Sequence, residues 1–292
     1  MGASTSMQGF HDAETGTVSY VVHERESRRA AVIDPVLDFD PKSGHTSTRS
    51  ADRLLAHVAA EKLRVDWILE THAHADHLSA APYVRSRVGG RIGIGEHIRE
   101  VQATFAAMFN LGPSFAADGS QFDHLFHDGE TFRLGDVEAR AMFVPGHTPA
   151  DIAYLIDGMA FIGDTLFMPD VGSARADFPG GDARRLYRSI RRLLALPDDT
   201  VLCVCHDYPP KTRRAAWQAS VAEHKRHNVH VHDGVGEDEF VAMREARDRT
   251  LGAPTLILPA LQVNVRAGQL PPPDSNGIAY LRIPLNALPV GG

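Results

Sequence analysis

Short runs of apolar, branched and aromatic residues recur along the first 205 positions, separated by charged or glycine-containing segments. Runs of this length and composition are typical of buried β-strands. We predict strands at residues 18–22, 30–33, 65–69, 91–94, 137–144, 152–156, 160–162 and 200–205. The dipeptide Asp157-Gly158 between two of these runs is a strong hairpin signal, and the charged stretch 23–29 indicates a second hairpin loop.

Apolar residues at intervals of three and four predict the helices. We place helices at residues 47–62, 79–87, 96–109, 182–196, 213–225 and 237–250. Residues 1–16 are expected to be a disordered start, residues 110–129 are expected to be irregular, and the chain closes in a proline-rich tail. No linker or repeat is visible before position 209, so we expect one domain over residues 1–292, with 209–292 packed on it as a C-terminal extension.

Composition narrows the class of protein. The 292 residues are 43% hydrophobic and 23% charged, which is ordinary for a soluble globular protein. A net charge of −7 does not favour a nucleic-acid partner. Cys203 and Cys205 are too few for a disulfide framework, and no signal peptide or membrane-spanning stretch is visible. We expect a cytoplasmic protein.

Three histidines and an aspartate lie in a seven-residue segment directly after the predicted strand 65–69. The segment reads Thr71-His72-Ala73-His74-Ala75-Asp76-His77. A loop that follows a rigid strand can direct several side chains at one point. Imidazole and carboxylate are the usual ligands of zinc and non-haem iron, so this segment predicts a metal site.

Further candidate ligands also follow predicted strands. His147, Asp164 and His206 each come just after a strand, as His72 does. Ligands presented from one edge of a β-layer can meet in one cleft even when they are far apart in sequence. Taken singly, His147 could be a turn residue, Asp164 a helix cap and His206 a hydrogen-bonded core residue.

The order of these motifs resembles the metallo-β-lactamase superfamily. The matching segments, within residues 10–230, are Thr71–His77, Pro145-Gly146-His147-Thr148, Gly163-Asp164-Thr165 and His206-Asp207-Tyr208. The resemblance implies an α/β fold, the αββα sandwich of two packed mixed sheets flanked by helices. It also implies a ligand set that usually holds two metals: His72, His74 and His147 for one, Asp76, His77 and His206 for the other, with Asp164 between them. A dinuclear thioester hydrolase of the glyoxalase II type therefore stays open.

Finer motifs are similar to those of persulfide dioxygenases, also called sulfur dioxygenases. The matching segments are 33–38, 78–81, 175–178, 186–190 and 262–268. This resemblance implies one Fe(II) per chain, held by His72, His147 and Asp164. It leaves His74, Asp76, His77 and His206 as metal-free side chains that orient the ligands and bound water. Ligand type alone would suit iron, zinc or manganese.

The function implied is oxidation of glutathione persulfide by O2 and water to glutathione and sulfite, in sulfide detoxification. Two imidazoles and one carboxylate leave open positions where substrate and dioxygen can bind side by side. An anionic tripeptide needs hydrogen-bond donors, so Arg175, Tyr208 and Arg266 are the expected substrate-binding residues. Structural ion pairs are the alternative role for the two arginines. The basic run 184–192 is expected to be a solvated helix face.

Partners and a third function complete the hypotheses. A non-enzymatic metal or thiol sensor would use Cys203 and Cys205, although two small residues packed in a strand is the simpler interpretation. The family resemblance implies a homodimer. Some bacterial relatives carry a rhodanese domain after this module, for which 292 residues leave no room, so we expect any sulfurtransferase to be a separate protein.

Overall fold

Most of the predicted strands and helices form, with several short strands in addition, in a computed structural model that describes residues 4–287. The strands are β1 (Thr5–His11), β2 (Val18–Glu24), β3 (Arg29–Ile33), β4 (Val36–Asp40), β5 (His45–Ser47), β6 (Arg64–Leu69), β7 (Leu78–Ser79), β8 (Arg91–Gly95), β9 (His124–Phe126), β10 (Thr131–Leu134), β11 (Val137–Phe143), β12 (Ile152–Ile156), β13 (Met159–Phe161), β14 (Val201–Cys203) and β15 (Gln218–Ser220). The helices are α1 (Arg49–Ala60), α2 (Ala81–Val88), α3 (Ile98–Phe109), α4 (Ala183–Leu194), α5 (Val221–His227), α6 (Glu237–Asp248) and α7 (Ile257–Asn264).

Two six-stranded mixed sheets form the centre of the molecule. The first has the order β1-β2-β3-β6-β8-β9 and the second the order β10-β11-β12-β13-β14-β15. Alternate side chains of each sheet point to the other sheet, as the two-residue repeat of a strand requires. Tyr20 and Trp67 of the first sheet share one core cluster with Tyr154 and Phe161 of the second.

Helices cover the outer face of each sheet. Helices α1, α2, α3 and α7 bury residues such as Leu54 and Leu261 with Val32 of the first sheet. Helices α4, α5 and α6 bury residues such as Leu186 and Phe240 with Ala153 of the second. The predicted αββα class is therefore confirmed. A small additional sheet, β5-β4-β7, lies beside the histidine loop.

The start of the chain differs from the prediction. Within the described residues 4–16, the segment expected to be disordered contains β1, which pairs antiparallel with β2 along its whole length. The prediction was wrong because β1 is an edge strand held mainly by backbone pairing, and such a strand needs no apolar period. Thr5 also anchors it, since its backbone N–H donates to Asp157 over 3.0 Å.

The C-terminal part differs in two places. Only residues 221–225 of the predicted helix 213–225 are helical, because β15 occupies Gln218–Ser220 and Ser220 caps α5 at Val221. The expected proline-rich tail contains α7, whose apolar residues are buried rather than spaced as on an amphipathic helix. Residues 110–129, expected to be irregular, also supply the short strand β9.

Strand ends position the candidate site. The histidine segment lies in the loop after β6, and the loops after β11, β13 and β14 contain His147, Asp164 and His206 respectively. Because β6 is internal to the first sheet and the other three are internal to the second, these loops meet at one edge of the sandwich. Across residues 4–287, none of the helices has the length and apolar character that crossing a membrane requires.

Candidate metal centre

Four loops bring six histidine and aspartate side chains into a mostly buried cluster, with a seventh, Asp76, at its partly exposed side. His72, His74, His77 and His206 are each exposed by 1% or less, and His147 and Asp164 by 4% and 6%. Burial of so many polar groups without solvent is costly unless they bind one another or a ligand. The sequence prediction that these residues meet in one place is confirmed.

His72, His147 and Asp164 form one group. Asp164 Oδ2 lies 3.8 Å from His72 Nε2 and 3.7 Å from His147 Nε2. These donor atoms all lie within 4.8 Å of one another. His72 Nε2 and Asp164 Oδ1 are buried and have no hydrogen-bond partner among the described residues. Two imidazoles and a carboxylate that face one point in this way fit a divalent metal ion.

Hydrogen bonds set both imidazoles in the tautomer that a metal needs. The carbonyl of Arg175 can only accept, so His147 Nδ1–H donates to it over 2.8 Å. The Thr71 hydroxyl donates its proton to Asp34 over 2.8 Å and therefore accepts from His72 Nδ1 at 3.0 Å. Nε2 of each ring is thus left with a free lone pair. Burial, with the nearby charge of His74, lowers the pKa of His72 well below its usual value and favours the neutral, ligating form.

A second group lies beside the first. Its members are His74, Asp76, His77 and His206, whose donor atoms also lie within 4.8 Å of one another. His206 Nε2 lies 3.3 Å from Asp76 Oδ2 and 3.5 Å from Asp164 Oδ1. His77 Nδ1 lies 3.1 Å from Asp76 Oδ2 in a hydrogen bond. His77 Nε2, His206 Nε2 and both ring nitrogens of His74 are buried without a hydrogen-bond partner among the described residues, so these residues could also hold a second ion.

The ring of His74 lies beside that of His72, with 4.0 Å between the two ring centroids, and two carboxylates lie on its Nε2 side. Its Nε2 lies 3.0 Å from Asp34 Oδ1 and 3.6 Å from Glu70 Oε2. Burial alone would lower the pKa of His74, but the carboxylates of Asp34 and Glu70 raise it well above its usual value. The Nδ1 atom of His74 is buried and has no hydrogen-bond partner among the described residues, and His74 belongs by geometry to the second group. Asp34 and Glu70 were missed as site residues, although Asp34 follows a predicted strand just as the other ligands do.

A residue of α7 holds the histidine loop in shape. Asn264 Nδ2 donates to the carbonyls of His74 and His77, each over 2.8 Å, and its Oδ1 accepts from the backbone N–H of Ser79 over 2.8 Å. Asn264 is 4% exposed, so water does not compete for these bonds. No signal in the sequence connected Asn264 with a loop almost two hundred positions away.

A cleft of about 630 Å³ opens onto the metal centre. Asp76, His147 and Asp164 line it on the metal side, and its walls are largely apolar. The lining residues that carry apolar or aromatic side chains are Ala75, Phe167, Val171, Ala174, Phe178, Tyr208, Pro210, Val229, Leu251 and Pro254. A cleft of this size accommodates a small organic substrate.

The three expected substrate-binding residues fall in different places. Tyr208 lines the cleft, half-exposed, and its ring stacks on His206. Arg175 also lines the cleft, but its guanidinium already donates to both carboxylate oxygens of Asp177 and to a backbone carbonyl. Arg266 is not among the lining residues, because its guanidinium stacks 4.7 Å from the ring of Phe115.

The two cysteines are free thiols buried in and just after β14. Burial raises the pKa of Cys203 to about 12. The Cys205 sulfur lies 3.5 Å from Asp34 Oδ2, and burial, together with this carboxylate, raises the pKa of Cys205 well above its usual value. Both side chains therefore pack as small uncharged residues.

Comparison with known proteins gives related sequences of several names. A probable metallo-hydrolase of Burkholderia pseudomallei is 56% identical over 97% of this chain and all of its own length. Glyoxylase B2 of Dictyostelium discoideum is 45% identical over 99% of both chains. A beta-lactamase hydrolase-like protein of Xylella fastidiosa is 54% identical over 97% of this chain, which spans only 65% of that relative's length. The human mitochondrial persulfide dioxygenase ETHE1 is 29% identical over 71% of this chain and 70% of its own.

The fold and the family also match. The crystal structure of ETHE1 from Myxococcus xanthus superposes with a TM-score of 0.72 and 30% sequence identity, over 90% of this chain and all of that one. Residues 13–206 match the family model of the metallo-beta-lactamase superfamily. This range includes every one of the histidine and aspartate side chains of the two groups. The chain belongs to the metallo-beta-lactamase superfamily.

Proposed function

We propose that this protein is a persulfide dioxygenase that oxidises glutathione persulfide with O2 and water to glutathione and sulfite, in sulfide detoxification. One Fe(II) per chain would be held by His72, His147 and Asp164. The observation that carries this proposal is the group of His72, His147 and Asp164, two imidazoles and one carboxylate in which His72 Nε2 and Asp164 Oδ1 are buried without a hydrogen-bond partner among the described residues. Similarity to ETHE1 proteins in sequence and fold supports it.

The donor set suits the proposed metal. When bound, Fe(II) would supply the activation of dioxygen beside a sulfur anion, which a facial set of two imidazoles and one carboxylate permits. The protein groups around the metal would orient its ligands and contact the substrate. The Arg175 carbonyl and Thr71 fix the two ligand rings, and the largely apolar walls of the cleft would contact the bound substrate.

His206 and Asp76 would position the third ligand. Burial would lower the pKa of His206, but the carboxylates of Asp164 and Asp76 raise it to about 9. A protonated His206 attracts Asp164 Oδ1 from 3.5 Å and so leaves Oδ2 directed at His72 and His147. Tyr208 covers this pair by stacking on the His206 ring. These side chains would thus orient a ligand without binding metal themselves.

A dinuclear thioester hydrolase is the second candidate. The group of His74, Asp76, His77 and His206 offers four donors close to the first three, which is the observation that favours it. Relatives named glyoxylase B2 and probable metallo-hydrolase are consistent with it. Imidazole and carboxylate also suit zinc as well as iron, so the choice between the two functions depends on the number of metals bound.

The deciding experiment combines metal analysis with two assays on protein purified without added metal. We expect one iron per chain, oxygen consumption that requires glutathione persulfide, and sulfite formed in proportion. Two zinc ions per chain, with cleavage of S-lactoylglutathione and no oxygen consumption, would overturn the proposal. The same proposal includes two further points. The protein forms a homodimer, and a separate sulfurtransferase supplies the persulfide.

A further inference from the structure

Three arginines line the cleft, and two of them are already neutralised. Arg175 forms a bidentate pair with Asp177. Arg244 is buried, donates to Asp248 over 2.6 and 2.9 Å, and reaches the carbonyl of Ser173. Binding a substrate anion with either one would mean breaking an existing charge pair. Such an exchange gains little, because the displaced carboxylate then needs a new partner.

Arg247, the third, lies on the same helix α6 and is free. Its side chain is exposed to the cleft, and among the described residues it forms no ion pair and no hydrogen bond. The acidic residues that line the cleft do not compete for it: Asp76 and Asp164 belong to the metal centre, and Asp170 pairs with Arg213 over 2.7 and 2.8 Å. Arg247 is therefore the cation that an incoming anion can reach.

A neutral hydrogen-bond donor stands close to it. His230 lines the cleft, and its Nδ1 accepts from the backbone N–H of Ser173 over 2.9 Å, so its proton resides on Nε2. Burial, helped by the positive charges of Arg244 and Arg247, lowers the pKa of His230 to about 4. At neutral pH this side chain thus adds an N–H donor without a charge.

We propose that Arg247, assisted by His230, binds a carboxylate of the substrate and thereby selects persulfides of carboxylate-bearing thiols. This inference rests on the proposed function, since it takes a persulfide as the substrate. Both residues come from α6 and the segment after α5, whereas the metal ligands come from the loops of the two sheets. The substrate would then be held at two separate parts of the cleft, its sulfur at the metal and its carboxylate at Arg247.

The test compares two persulfides in the iron-loaded enzyme. Glutathione persulfide carries carboxylates, and cysteamine persulfide carries an ammonium group instead. Arg247→Gln should raise KM for glutathione persulfide about tenfold, the value for loss of one partly exposed charge-assisted hydrogen bond, and leave kcat little changed. KM for cysteamine persulfide should not rise. Arg249→Gln is the matched control, because Arg249 is exposed near the same helix end and lines a different cavity.

Reversing the charge of Arg247 provides a second test, whose expected result would not occur if Arg247 had only a structural role. Arg247→Glu should shift the preference toward cysteamine persulfide, because a carboxylate there attracts its ammonium group. Equal losses with both persulfides would overturn the assignment.

Binding of glutathione itself, measured by calorimetry, separates this inference from the proposed function. If the wild-type protein oxidises neither persulfide, the proposed function fails. A glutathione affinity that is the same in Arg247→Gln and Arg249→Gln would overturn the role of Arg247 whatever the reaction.

Discussion

A single hydrogen bond decides the tautomer, and so the ligand character, of each imidazole in the proposed iron site. His147 keeps its Nε2 lone pair because Nδ1–H donates to a carbonyl, and His72 because the Thr71 hydroxyl has given its own proton to Asp34. The Nε2 of His74, two residues along the chain, lies beside the carboxylates of Asp34 and Glu70 instead. Histidines of one segment thus have different immediate partners, and these partners decide which ring nitrogen each one can offer to a metal.

These roles lead to a contrast between two alanine variants. His147→Ala removes one of three proposed ligands, and we expect the protein to lose its iron and its activity together. His77→Ala removes a side chain that hydrogen-bonds to Asp76 and Thr17, so metal affinity should fall only about 10–100-fold and iron should remain at saturating concentrations. Metal analysis after dialysis checks this. Equal loss of iron from both variants would argue for a second metal that uses His77.

The reactivity of the two buried thiols tests the hypothesis of a thiol sensor. With a pKa of about 12, Cys203 is a thiolate in only about one molecule in 10⁴ at pH 8, and the Cys205 thiol is buried beside a carboxylate. We expect a disulfide reagent to label neither residue of the folded protein within minutes. Both should react at once in guanidinium chloride, which serves as the control. Rapid labelling of the native chain would revive a thiol-sensing role.

Among the elements, α7 couples the C-terminal part to the metal loop. Asn264→Ala would leave the carbonyls of His74 and His77 and the N–H of Ser79 buried without a partner. We expect the free energy of unfolding to fall by about 2 kcal/mol or more, and iron to dissociate faster. Urea unfolding and metal release to a chelator measure the two effects. Gln269→Ala, at an exposed position just after α7, should change neither.

Helix α5 carries a buried histidine that should make stability depend on pH. Burial lowers the pKa of His224 to about 4, so the folded state keeps this ring neutral while the unfolded chain protonates it near pH 6.5. The stabilisation is complete above pH 6.5 and is lost as the pH falls toward 4, by up to about 3 kcal/mol. Urea unfolding of metal-free protein should show a steeper acid loss for the wild type than for His224→Gln. Parallel curves would mean that His224 titrates normally.

The elements that were predicted correctly from the sequence are those whose buried positions are occupied by apolar residues at regular spacing. Strand β12 is apolar throughout, β6 is apolar over residues 67–69, and α4 has a regular apolar face, so local patterns were sufficient. Strand β1 is held by backbone pairing with β2 and by the contact of Thr5 with Asp157, and helix α7 packs on residues distant in sequence. A local pattern of side chains does not contain that information. The same limit applies to the site. Its histidines follow strands, but the pairing of His74 with Asp34 and the contact of Asn264 with the loop arise only from the tertiary fold.

On the scale of the whole molecule, the proposed metal joins the two halves of the sandwich. His72 lies on the loop after β6 of the first sheet, and His147 and Asp164 follow β11 and β13 of the second. The apolar core between the sheets holds the halves together over most of their area. At this edge, the contact includes buried polar atoms that lack hydrogen-bond partners among the described residues, such as His72 Nε2 and Asp164 Oδ1. An ion bound there satisfies both halves at once.

Metal binding should therefore stabilise the whole fold and not only the loops. A ligand at about a thousand times its dissociation constant adds about 4 kcal/mol to the stability of the state that binds it. For a chain of this size that is a rise of several degrees in Tm. We expect removal of the metal by a chelator to lower Tm of the wild-type protein by this amount, and iron to restore it. Tm of His147→Ala should respond to neither treatment. This variant lacks one of the three proposed ligands and is expected to bind no iron that a chelator could remove. An unchanged Tm in the wild-type protein would mean that the edge is stable without an ion, and that the unpartnered atoms are satisfied by water.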